Sequence, residues 1–99
     1  MDIEEIREAF RFSRYEMREH AGEQVGRRHI TRAEIEEAIL RGEIIEEYGS
    51  HYLGPCCLVN GATASGRQIH IVLSAPPNHW IITVYEPDPN LWIDYRIRR

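Results

Sequence analysis

The chain has 99 residues, 42% of them hydrophobic and 28% charged, with a formal net charge of −4. That suits one domain, residues 1–99, with a modest core, and excludes a disordered chain. No apolar run approaches the ~20 residues of a membrane helix, and the acidic start Met1-Asp2-Ile3-Glu4-Glu5 has no apolar stretch behind it, so no span or secretory signal is expected and the compartment is read as cytoplasmic.

The first helix is expected over residues 2–12, where Ile3, Ile6, Ala9 and Phe10 recur at helical spacing and Asp2 can cap the start. The pattern blurs at Ser13–Met17. One unbroken helix to Gly26 is compatible with it, but a break there and a second helix from about Arg18 to Arg27 is the preferred reading. Thr31-Arg32-Ala33-Glu34 is a capping box that opens the best-signalled helix, with Ile35, Ala38 and Ile39 as its apolar stripe. Gly42 is expected to end it in the left-handed cap position.

From Glu43 the period changes to that of strands. Strands are predicted at Glu43–Tyr48, Cys57–Thr63, Gln68–Ala75 and Trp80–Glu86. Gly49–Pro55, Ala64–Arg67 and Pro76–His79 link them, and the tail Leu91–Arg99 is a candidate edge strand. Helices followed by hairpin-connected strands imply an α+β fold, with helices packed on one face of a roughly four-stranded antiparallel sheet and the other face partly open to water.

Charge and cysteine content add little chemistry. The only cysteines, Cys56 and Cys57, are adjacent, so both read as reduced thiols facing opposite sides of a strand. All twelve basic residues are arginine, which base composition alone would explain, although the guanidinium fork also suits phosphate or carboxylate. Residues 1–48 hold thirteen acids and eight arginines, and residues 49–99 three acids and four arginines. The net charge argues mildly against a nucleic-acid binder, while the near-neutral second half with its basic tail softens that.

Strand alternation gives a sharp expectation. If Ala75 pairs with Trp80, Leu73 lies opposite Ile82 and Ile71 opposite Val84, as a core face. Ser74–Ile81, Val72–Thr83 and His70–Tyr85 then share the more polar face, with the His70 and Tyr85 rings in contact. That pair reads either as an acid–base pair or as an ordinary packing and hydrogen-bonding pair, the commoner case. His20 can likewise be a proton-transfer group or a histidine satisfied at a helix end. Arg28 can bind phosphate or the last carbonyls of its helix. His29, His51 and His79 are placed in solvent-facing loops. His51, Cys56, Cys57 and His70 lack metal-ligand spacing, so no metal and no other cofactor is expected.

His20-Ala21, Val25, Arg28-His29-Ile30-Thr31 and Glu34-Ile35-Glu36-Glu37-Ala38-Ile39 follow in order the pattern H-A-x-x-x-M-x-x-R-G-I-S and its helix. Gly42–Tyr48, Arg67–Val72 and Ile82–Asp88, with Trp92 beyond, continue the match. Together these pieces resemble the domain-of-unknown-function family 4258 over residues 13–93. The chain departs from the pattern at Val25 for methionine, at His29 for glycine, and at Gln24, where a basic residue is common. The resemblance extends distantly to small RelE-, BrnT- and MqsR-like toxins. It implies a RelE-like fold, metal-independent cleavage of RNA, an antitoxin partner encoded nearby, and His20, Arg28, His70 and Tyr85 as the catalytic set. The alternative is a non-catalytic protein-binding or regulatory domain of the same fold, its acidic helix 31–42 or open sheet face docking a partner such as a basic antitoxin.

Overall fold

The computed structural model describes residues 1–49, 54–76 and 78–99. The expectation for His51, and most of the predicted Gly49–Pro55 loop, lie outside the described residues, as does Pro77. The described residues form three helices, α1 (Ile3–Arg11), α2 (Glu19–Arg28) and α3 (Arg32–Arg41), and seven strands.

Local chemistry fixes the helix ends. Asp2 caps α1 by accepting the Glu4 N–H at 2.9 Å. The capping box of α3 is complete: Thr31 Oγ1 accepts from Glu34 N at 3.0 Å, and Glu34 Oε1 accepts from Thr31 N at 2.9 Å. Gly42 does not take the left-handed cap expected of it; its φ of −88° and ψ of 177° are extended, so α3 runs straight into β2 (Glu43–Tyr48). Glycine is needed there for closeness, because a Cβ would lie 2.5 Å from the Ala38 carbonyl oxygen and 2.8 Å from that of Asn60. The left-handed cap belongs instead to His29, at the end of α2, with φ 53°.

The sheet is five-stranded and mixed, not four-stranded and antiparallel. β2, β3 (Cys56–Ala62), β4 (Gln68–Ser74) and β5 (His79–Tyr85) pair antiparallel in the order β5-β4-β3-β2. The fifth strand is β1 (Tyr15–Met17), in the segment read as a break between helices, and it pairs parallel with the first three residues of β5. The tail does not extend the sheet. It forms a separate hairpin of β6 (Trp92–Ile93) and β7 (Ile97–Arg98).

The predicted β4–β5 register holds for His70–Tyr85, Ile71–Val84 and Val72–Thr83, then shifts by one, so that Leu73 faces Ile81 and not Ile82. Ile82 is the extra residue of a β-bulge. Ile81 therefore joins Ile71, Leu73 and Val84 in the core, while Ile82 remains partly exposed. His79 is not a loop residue facing solvent. It begins β5, is buried, and its Nδ1 lies 3.0 Å from the Ser74 carbonyl oxygen, to which it donates.

One sheet face packs on the helices through Cys57, Val59, Ile69, Ile71 and Leu73, against Ile6, Phe10, Ile35 and Ile39. Burial pushes the Cys57 thiol up to about 12, so it stays protonated and inert at neutral pH. α3 crosses β3 at contact distance: a Cβ on Gly61 would lie 1.9 Å from the Ala38 carbonyl oxygen. Gly61→Ala must push two backbones apart and should cost about 1–3 kcal/mol. Urea denaturation would measure this, and an unchanged midpoint would show that the α3–β3 contact is looser than described.

Candidate active site

The face away from the helices is not open at its centre. The β6–β7 hairpin lies over it, so that His70 has no exposed surface and Trp92 is only 4% exposed. The Trp92 ring stands edge-on to the imidazole, with centroids 4.6 Å apart at 85°. Across the hairpin, Arg96 is paired with Glu43 and Arg98 with Glu46, the latter at 2.8 Å, which holds it against β2.

Both ring nitrogens of His70 are engaged. Nε2 lies 2.6 Å from the Tyr95 carbonyl oxygen and Nδ1 3.1 Å from the Tyr85 hydroxyl. A carbonyl only accepts, so Nε2 carries the proton and Nδ1 must accept from Tyr85 Oη–H. Burial holds the imidazole below its ordinary pKa, against the opposing pull of the Tyr95 carbonyl and the Glu46 carboxylate. Burial also holds the Tyr85 phenol above its ordinary value. The result is a neutral pair, edge to face at 5.2 Å, with a hydrogen bond of defined direction.

Tyr85 is the member of the pair that faces outward. It lines a cleft of about 440 Å³ together with Gln24, Arg28, Glu86, Asp88, Leu91 and Trp92. Arg28 reaches it from the last turn of α2. One of its N–H groups donates to the Val84 carbonyl at 2.9 Å. A guanidinium has five N–H donors, so others remain for an anion. Gln24, one turn earlier, accepts from Thr83 Oγ1 at 2.6 Å and from Val84 N at 2.9 Å. A basic residue at this position could not accept the Val84 N–H.

Of the four expected site residues, Arg28 and Tyr85 share a cleft, and His70 lies directly behind Tyr85. His20 is not with them. It lines a different cleft, of about 420 Å³, with Met17, Arg18, Glu19, Trp80 and Ile82. His20 and Arg28 are eight residues apart on α2, which is two turns, or about 12 Å. The sequence reading missed Gln24, Trp92 and Tyr95. The spacing His20-Gln24-Arg28 was available as a signal for Gln24, because residues four apart share a helix face. No local pattern signals Tyr95, which acts through its backbone carbonyl. Among the described residues, no three His, Cys, Asp or Glu side chains come together as metal ligands.

These features define a small α+β domain in which an arginine and a histidine-backed tyrosine line one cleft beside a strand. Residues 17–86 match the family described as Domain of unknown function (DUF4258), and the chain belongs to that family. Neither the curated proteins nor the solved structures yield a match. The hairpin wall of the cleft, Leu91 and Trp92, lies beyond the matched segment.

The depressed pKa of His70 makes a prediction about acid stability. The unfolded chain takes up a proton near pH 6.5, and the folded chain does so only at lower pH, so stability falls as pH drops below about 6.5. The carboxylates of Glu34, Glu46 and Glu86 are also held low, and their contribution is lost only below about 4.5. Thermal unfolding between pH 7 and 5 should therefore show a loss that His70→Gln flattens. An equal slope in both proteins would place the titration elsewhere.

Proposed function

We propose that this protein is a metal-independent endoribonuclease of the toxin type, distantly related to the RelE-, BrnT- and MqsR-like toxins and acting in the cytoplasm. The observation that carries the reading is the cleft that Arg28 and Tyr85 share, with the Tyr85 hydroxyl directed by the buried neutral imidazole of His70. The scissile phosphate sits against the Arg28 guanidinium, whose charge stabilises the phosphorane. The ribose 2′-OH attacks the phosphorus. Its proton passes to Tyr85 Oη as the phenolic proton moves to His70 Nδ1, so the imidazole becomes imidazolium and no free phenolate is formed. The 5′ oxygen leaves and takes a proton from water, and the proton on His70 returns through Tyr85 to the resulting hydroxide, giving a 2′,3′-cyclic phosphate and a 5′-hydroxyl. Tyr85 and Arg28 are the catalytic residues. His70 acts through Tyr85 as a positioning residue and proton acceptor.

The second reading is a non-catalytic protein-binding or regulatory domain. It is favoured by the complete satisfaction of the His70 nitrogens and by the structural bond from Arg28 to Val84. In both readings a basic antitoxin encoded nearby is the expected protein partner, complementary to the acidic helical half.

Incubation with single-stranded RNA in excess EDTA separates the two readings. The intact protein should release fragments ending in 2′,3′-cyclic phosphate. Arg28→Ala and Tyr85→Phe should each slow the reaction by about a hundredfold or more while keeping the native circular dichroism spectrum. An intact, folded protein that cleaves no RNA and does not slow growth on expression would leave the binding-domain reading standing.

A further inference from the structure

The cleft that holds His20 has no part in the proton transfers above, yet it lies on the same seam between α2 and β5. His20, Gln24 and Arg28 recur every four residues along one face of α2. Beside them on β5 run Trp80 and Ile82, then Thr83, then Tyr85. The bulge at Ile82 turns that side chain out of the core and into the cleft wall beside Trp80. Trp80 is partly exposed, with the Arg18 guanidinium 5.4 Å from its ring centroid. The cleft, about 420 Å³, thus combines an aromatic face, an aliphatic wall and an exposed imidazole.

We infer that this cleft is a nucleobase subsite for single-stranded RNA. Resting on the ribonuclease reading, it holds the base of a nucleotide a few positions from the scissile one, stacked on Trp80 with His20 at its edge. The two clefts are two helical turns apart, about 12 Å, a span that a few nucleotides of single strand cover. The seam is nearly balanced in charge: Arg18 and Arg28, with Arg67 paired to Glu86, face Glu19, Glu86 and Asp88. Stacking, which tolerates any base, therefore supplies more of the affinity than phosphate charge does, and the salt dependence is shallow.

The test uses a labelled, uncleavable all-2′-deoxy hexanucleotide, with binding to the 99-residue chain read by fluorescence anisotropy. Trp80→Ala should weaken binding about fivefold or more, Trp80→Phe should restore most of it, and His20→Ala should weaken it. Raising salt from 50 to 200 mM should change the affinity by less than about tenfold. On cleavable RNA, Trp80→Ala should raise KM more for a hexanucleotide than for a dinucleotide, which the Arg28–Tyr85 cleft accommodates alone. Wild-type affinity in both Trp80→Ala and His20→Ala, with RNA cleavage intact and lost in Arg28→Ala, would overturn the subsite and leave the ribonuclease reading in place. Absence of both oligonucleotide binding and cleavage in the wild-type protein would overturn the two together.

Discussion

Among the described residues the second half of β5 has no strand partner on its outer side, and the placement of the cleft depends on how that edge is satisfied. β1 covers only His79, Trp80 and Ile81, and one further bond, from Arg18 N to the Ile81 carbonyl, ends the pairing. Beyond it the Val84 N–H and C=O would be left without partners, at about 1–3 kcal/mol for each buried group. Gln24 accepts from the one and Arg28 donates to the other. Two side chains one helical turn apart thus stand in for a strand and lay α2 along β5. Arg67 fixes the same end of the helix. It donates to the carbonyls of Arg28 and His29 at 3.0 and 2.9 Å and pairs with Glu34 and Glu86. The last turn of α2, the start of α3 and the end of β5 are tied at one guanidinium, one residue from Tyr85.

The hairpin sets the electrostatics of the site. By closing over His70 it removes the imidazole from water and supplies the Tyr95 carbonyl that selects the Nε2–H tautomer. That tautomer leaves Nδ1 able to take the Tyr85 proton. The same two-stranded element is too short to be stable alone. It is held by Trp92 against His70, by Arg98 over the Trp92 ring at 4.7 Å, and by the pairs of Arg96 and Arg98 with the carboxylates of β2. The basic tail that a charge count marks as a nucleic-acid feature is thus largely spent on Glu43 and Glu46.

Much of this was legible in the residues where short-range rules act alone. The Thr31–Glu34 box and the Asp2 cap are reciprocal backbone chemistry within four residues, and both formed as read. The His70–Tyr85 contact is read from an assumed Ala75–Trp80 pairing, and it holds because the bulge displaces only the pairs on the Leu73 side of Val72–Thr83. The reading failed where a long-range partner decides. Tyr15–Met17 is extended because β5 offers it an edge, which three residues cannot announce. The bulge at Ile82 lets Ile81 and Val84, three apart, both reach the core, a solution that strict alternation does not contain. Gly42 ends the helix as read but for a different reason, the close approach of the Ala38 and Asn60 carbonyl oxygens. His20 and Arg28 sit on one helix face, as their spacing says, but two turns of helix separate them into different clefts.

Beneath the cleft a neutral, Nε2-protonated His70 accepts a hydrogen bond from the Tyr85 hydroxyl. The most direct test of this arrangement is the ring ¹⁵N chemical shifts of His70, followed by NMR from pH 8 to pH 5. The expected result is a protonated Nε2 and a bare, hydrogen-bonded Nδ1 at pH 7, with titration below the ordinary histidine range and an altered Nδ1 shift in Tyr85→Phe. An imidazolium at pH 7, or the opposite tautomer, would contradict it.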